Sequence, residues 1–137
     1  MAIPQDELSL LIRDWYYAAS EGKVEEFLKH FLPENTTVYF GTDPQEIWYG
    51  FDQIRANVIE NFKTYGKWTI MSKNLVIREL NGAAVFTDEV EISARYGGSS
   101  IAEDGRISGV LVRTGQEWKI LQVHLSFGVS NSELLPG

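Results

Sequence analysis

A chain of 137 residues is long enough for one domain with a sizeable core, and 44 % hydrophobic with 23 % charged residues is ordinary for a folded soluble protein. The net charge of −7, with only 12 scattered basic residues, disfavours a broad nucleic-acid surface, which would need Lys and Arg against phosphates. The absence of cysteine excludes disulfides, thiolate metal sites and a catalytic thiol. No basic segment followed by an apolar run opens the chain, and no apolar run approaches a membrane span. Neither a signal peptide nor a membrane partner is therefore expected, and a cytoplasmic location follows by default.

Pro4 suits the first turn of a helix, with Asp6 and Glu7 near its positive end. Leu8, Leu11, Ile12, Trp15 and Ala19 repeat at helical spacing until Gly22. A second short helix is expected over residues 23–31, with Val24, Phe27, Leu28 and Phe31 inward and Pro33 as its stop. Residues 36–40 read as a strand, residues 41–44 as a turn and residues 46–49 as another extended piece. Asp52 is placed to cap a helix carrying Ile54, Val58, Ile59 and Phe62.

Strand signals dominate the rest. Residues 67–77 are rich in β-branched side chains, and Asn81-Gly82 joins them by a tight hairpin to a strand over residues 83–96. Residues 97–100 read as a flexible loop that extends toward Glu103 and Asp104, followed by a strand over residues 105–114. Gly115-Gln116 turns into a last strand over residues 116–127. The expectation is one domain over residues 1–130, with a polar tail at 131–137. Helices first and a largely antiparallel sheet after them indicate an α+β fold.

The last strand is the most informative segment. Strict alternation puts Gln122, His124 and Ser126 on the same side as Trp118 and Ile120, as in a pocket wall that turns polar toward one end. The other side then carries Leu121, Val123, Leu125 and Phe127, an apolar face suited to a second subunit. On the strand over residues 83–96, Ala84, Phe86, Asp88 and Val90 share one face, and a carboxylate there is costly to bury alone.

Three segments carry a resemblance. They are Phe40-Gly41-Thr42-Asp43-Pro44-Gln45-Glu46, Tyr49-Gly50-Phe51-Asp52-Gln53-Ile54, and Trp118-Lys119-Ile120 followed by His124 and Ser126. In this order they resemble the SnoaL-like and ketosteroid-isomerase-like members of the NTF2-like superfamily. A similar ending occurs in the association domain of calcium/calmodulin-dependent kinase II. The resemblance implies a cone: a strongly curved, mixed, mostly antiparallel sheet packed around N-terminal helices, with an internal cavity. It implies isomerase, cyclase or dehydratase chemistry without a cofactor, or a noncatalytic ligand-binding or oligomerisation module, and commonly a homodimer through the sheet. Gln122 stands where the SnoaL-like pattern often has a histidine, which weakens any mechanism needing two adjacent imidazoles.

The candidate catalytic residues are His124 and Asp88. An imidazole with a reference pKa of about 6.5 can move a proton near neutrality, or else it bonds within the sheet or lies at an interface. Asp88 can accept a proton or orient His124 or Arg106, unless a bulge reverses the alternation. Arg106, Gln122, Ser126, Tyr16 and Trp48 are the candidate ligand-binding residues, and each also has a plain role as a wall or core residue. The expected ligand is an apolar or aromatic, carbonyl-containing small molecule. No cofactor is expected, and no histidine–carboxylate spacing suggests a metal site.

Overall fold

The computed structural model describes residues 4–135, with side chains from Glu7 onward. Met1–Ile3, the side chains of Pro4 and Asp6 proposed for the first turn, and Pro136 and Gly137 of the expected tail lie outside the described residues. Three helices, α1 (Pro4–Glu21), α2 (Val24–Leu28) and α3 (Phe51–Tyr65), are interspersed with two short strands, β1 (Val38–Phe40) and β2 (Ile47–Tyr49). Five strands follow: β3 (Trp68–Ser72), β4 (Val76–Leu80), β5 (Ala83–Tyr96), β6 (Ser99–Thr114) and β7 (Glu117–Phe127). A single turn of helix, α4 (Asn131–Leu134), begins where the polar tail was expected, capped by the Ser130 hydroxyl.

The α+β class and the mixed, mostly antiparallel sheet hold. The strand order is β2-β1-β7-β6-β5-β3, with β4 beside β3 on the same edge of β5, and β1–β7 is the one parallel pair among these strands. The expectation of a strongly curved sheet wrapped into a cone is overturned: the sheet is neither strongly curved nor closed. Its path runs out at β2 and β3. Sharp bending needs bulges or glycine kinks spread through the ladders, whereas the register shifts here are confined to the β6–β7 pair and the β3–β4 break. The longest ladder, β5–β6, instead keeps one register from Ala83↔Val112 to Tyr96↔Ser99.

Two hairpins come from turn chemistry. Asn81 (φ 46°) and Gly82 (φ 83°) link β4 to β5, and Gly97 (φ 59°) and Gly98 (φ 83°) link β5 to β6. Positive φ at both central residues matches the right-handed twist of the strands, so each hairpin closes in two residues. This corrects the flexible loop read at residues 97–104: those residues beyond Gly98 continue the strand. Asp52 is not the cap of α3. Gly50 takes that position, Asp52 sits in the first turn, and the Gln53 side chain accepts from the Tyr49 N–H at 3.0 Å.

Residues 67–77 form two strands, not one. Ser72 pairs with Val90 while Val76 pairs with Thr87, so the β3–β4 side carries one residue more than β5 across the break. The Asn74 N–H left there donates to Asp88 Oδ1 at 3.0 Å.

The core lies between the helices and one face of the sheet. Leu8, Ile12, Trp15 and Ala19 of α1 are fully buried, as their spacing requires, with α1 packed on β3 and β4. An aromatic chain runs through this core from α1 to β2. Trp15 stacks on Phe27 at 5.2 Å, Phe31 meets Trp15 and Tyr39 at 5.8 and 6.0 Å, and Tyr39 stacks on Trp48 at 4.7 Å.

Candidate functional site

One residue in β7 decides where the predicted site lies. Val110 pairs with Gln122 but Leu111 pairs with Ile120, leaving Leu121 as an extra residue with no counterpart on β6. A β-bulge of this kind reverses the alternation beyond it, because a slip of one residue exchanges the two faces. Trp118 and Ile120 are buried before the bulge, and Val123 and Leu125 are buried after it. Gln122 and His124 are exposed and Ser126 is half-buried.

The pocket wall read from Gln122, His124 and Ser126 is therefore on the outer face of the sheet, away from the helices. The apolar face read for a second subunit is corrected by the same bulge. Val123 (0 % exposed) and Leu125 (1 % exposed) belong to the chain's own core, with Phe127 packed against it.

On the outer face, the register puts Ser108 beside His124 and Thr87, and Arg106 beside Ser126 and Glu89. These residues line a shallow depression of about 270 Å³, which Asp88 and Asn74 also border. The structure thus gathers His124, Asp88, Arg106 and Ser126 around one place. It does not join their side-chain chemistry. Asp88 is 2 % exposed and points inward with Phe86 and Val90, as its alternation required. Its Oδ2 accepts the Tyr16 hydroxyl at 2.9 Å and its Oδ1 the Asn74 N–H. Burial, then the adjacent Asp88 charge, holds the Tyr16 hydroxyl well above the ordinary tyrosine pKa. Tyr16 and Asp88 form a buried clasp between α1 and the β3–β4 break, and the Asp88 carboxylate is turned away from His124.

The larger space is elsewhere. A cavity of about 650 Å³ lies between α3 and the inner face of the sheet, and of the predicted site residues only Trp48 lines it. Phe27, Tyr39, Trp48, Phe62 and Trp68 supply aromatic walls, and Leu125 and Phe127 enter from the part of β7 beyond the bulge. Exposed Tyr65 and Tyr96, with rings 5.2 Å apart, border it at α3 and the β5–β6 hairpin.

Its polar groups come from β1, the following turn and α3. The Glu46 carboxylate accepts the Asp43 N–H through Oε1 and the Asn61 amide through Oε2, both at 2.8 Å. Tyr39 is 4 % exposed, and its hydroxyl makes no hydrogen bond among the described residues. Burial, reinforced by the Glu46 charge, raises its pKa far above the ordinary value, so the hydroxyl stays protonated. The site thus offers one donor without a partner among the described residues and, beside it, a carboxylate with lone pairs to spare.

Tyr39, Glu46 and Asn61 were missed in the sequence. A signal for Tyr39 existed: a tyrosine in a short strand directly before the turn at residues 41–44 brings a polar tip to the sheet's end. Nothing local pairs Glu46 with Asn61, fifteen residues away on another element. The bulge also left a trace, since the buried positions 118, 120, 123 and 125 step by two, three and two. The apolar Leu121 fills the gap and hides it. Among the described residues no cluster of three or more His, Asp or Glu could hold a metal ion, and no helix is long and apolar enough to cross a membrane.

Solved structures of the same fold match over nearly the whole chain. An NTF2-like superfamily protein from Salmonella enterica superposes with a TM-score of 0.81 at 23 % identity, covering 92 % of each chain. A candidate dehydratase of the NTF2-like family from Streptomyces avermitilis gives 0.78 at 15 % identity, covering 91 % of this chain and 96 % of its own. A candidate scytalone dehydratase from Novosphingobium aromaticivorans gives 0.77 at 15 % identity, covering 89 % and 82 %. No match is found among curated proteins. The SnoaL-like domain matches residues 9–130, from the second turn of α1 past the end of β7. The chain therefore belongs to the SnoaL-like family and has the fold of NTF2-like proteins.

Proposed function

We propose that this chain binds an aromatic, carbonyl-bearing small molecule in the inner cavity and moves a proton on it without a cofactor, as an isomerase, cyclase or dehydratase would. The observation that carries the reading is the Tyr39 hydroxyl, protonated and without a hydrogen-bond partner among the described residues, on an aromatic cavity of about 650 Å³. That volume falls within the range of about 300–1,000 Å³ typical of small-molecule sites. A ligand carbonyl would supply this donor with an acceptor. Tyr39 would hold the carbonyl oxygen as negative charge develops on it, and Glu46, the less exposed of the two carboxylates in the same cavity, would take the proton.

Tyr39→Phe tests this directly. The fold should keep its stability to within about 1 kcal/mol, because the deleted hydroxyl has no internal partner. Affinity for an aromatic ketone should fall about three- to tenfold, the worth of one hydrogen bond. Titration of 2-acetylnaphthalene by calorimetry measures it. Equal affinity of the two proteins would remove Tyr39 from the site.

A second reading keeps the outer face. It is favoured by the gathering of His124, Asp88, Arg106 and Ser126 around the depression of about 270 Å³, with Gln122 next along the strand. That volume lies below the small-molecule range and better suits side chains of a second copy. A homodimer through this face would make His124 an interface residue. A monomer by solution mass at working concentration would reject it.

A further inference from the structure

We infer that the ligand of the inner cavity carries a positive charge, as an amine or other organic ammonium compound does. This rests on the cavity being the binding site and adds the charge class of what enters it. Apart from tyrosines, the ionisable side chains among its described lining residues are Asp43 and Glu46, with no lysine, arginine or histidine. Both carboxylates take neutral donors. Asp43 Oδ1 accepts the Gln45 N–H at 2.8 Å, and Glu46 accepts the Asp43 N–H and the Asn61 amide. Neither is in an ion pair among the described residues, whereas Glu25 and Asp104 each meet a cation at 2.6 Å elsewhere on the surface.

A carboxylate with two neutral hydrogen bonds still has acceptor sites free and its charge uncompensated. Glu46 is half-buried and lines the same cavity as the stacked rings of Tyr39 and Trp48. Aromatic faces present negative quadrupole, and walls of this kind attract quaternary and protonated amines. The rings and the two carboxylates therefore favour a cation and repel an anion, so a carboxylate or phosphate ligand has no counter-charge to meet. The Tyr39 hydroxyl then serves a neutral oxygen on the same molecule.

Three probes on one skeleton separate charge from shape: 2-(2-naphthyl)ethylamine, 2-(2-naphthyl)ethanol and 2-naphthylacetate, titrated by calorimetry at pH 7. The amine should bind about tenfold tighter than the alcohol, and the carboxylate weaker than both. Raising the salt from about 0.05 to 0.5 M should shrink the amine's advantage, as screening of a partly exposed pair requires. Glu46→Gln should bring the amine to within about threefold of the alcohol, since glutamine removes the charge yet keeps one acceptor, and the Asn61 amide can flip to meet its NH2. Asp43→Asn, at an exposed turn position, should give a smaller loss of the same preference. Equal binding of amine and alcohol, or tightest binding of the carboxylate, would overturn the charge class while leaving the cavity as a binding site. No binding of any probe up to about 1 mM, together with none of 2-acetylnaphthalene, would remove the cavity reading and this inference with it.

Discussion

The two faces of the sheet are built from the same strands but offer different chemistry. The inner face holds an aromatic cavity of about 650 Å³ with the Tyr39 hydroxyl and two carboxylates that are in no ion pair among the described residues. The outer face holds His124, Arg106 and Ser126 around a shallow depression of about 270 Å³. In β7 the faces are exchanged by one residue, Leu121. A histidine that strict alternation would aim at the helices is aimed at solvent, and Leu125 and Phe127 enter the cavity instead. The location of chemistry in a sheet protein thus follows from register before it follows from residue type.

Shifting β7 by one residue beyond the bulge is the most severe way to break this difference. Inserting one alanine between Gln122 and Val123 would drive His124 and Ser126 into the core while expelling Val123 and Leu125. No protein with a cooperative thermal transition should result. The same insertion after Val129, exposed beyond the end of β7, should leave the transition in place and serves as the control.

The buried clasp comes next. Asp88→Ala would leave the Tyr16 hydroxyl and the Asn74 N–H without an acceptor, at a cost of about 3 kcal/mol. Asp88→Asn should cost less, because its amide oxygen can still accept from Asn74 and its NH2 can donate to the Tyr16 oxygen. Urea midpoints of the two variants compare them. Equal losses would mean that charge, not hydrogen bonding, carries the clasp.

Much of the fold was legible because its signals are local. Helical spacing from Leu8 to Ala19 and the Asn81-Gly82 turn each require only their own neighbours, and each led to the element observed. The inward face of Asp88 was legible for the same reason: Ala84, Phe86 and Val90 flank it in strict alternation. The open sheet was not, since curvature depends on how ladders of distant residues align. The site was least legible. The bulge at Leu121 is a property of β6 and β7 together, and Tyr39 and Glu46 meet Asn61 only after α3 has packed on the sheet. Gly109 shows the same dependence on distant partners: a Cβ there would lie 2.6 Å from both Phe86 and the Gln122 carbonyl oxygen, a constraint visible only once β5, β6 and β7 are side by side.

A smaller effect is expected in alkali. An unfolded tyrosine ionises near pH 10, whereas Tyr16 and Tyr39 keep their protons well above it because burial and a neighbouring carboxylate oppose the anion. A raised folded-state pKa contributes stability below the unfolded value, and that contribution is lost as pH rises beyond it. Stability should therefore fall as pH rises above about 10, since the unfolded chain there gives up protons the folded chain retains. Tyr16→Phe should flatten part of that fall, read from urea midpoints between about pH 9 and 11. An unchanged slope would mean that Tyr16 ionises in the folded chain as it does in water.

The smallest effect, and the sharpest test of the two faces, is expected from His124→Ala. The imidazole is exposed, its ring edge-on to Phe40 at 5.6 Å, and it makes no hydrogen bond among the described residues. Truncating it removes one aromatic contact on a solvent-facing surface, worth about 0.5 kcal/mol. Affinity for a cavity ligand such as 2-acetylnaphthalene should stay within about twofold of the unmodified chain, because the sheet separates the imidazole from the ligand. If turnover of any ketone can be measured, its rate and the pKa values in its pH profile should also survive the substitution. A loss of about a hundredfold or more in rate with unchanged folding would return the acid–base role to His124 and move the reaction to the outer face. A loss of dimer mass with binding intact would instead assign His124 to a contact between two copies and leave the chemistry with Tyr39 and Glu46.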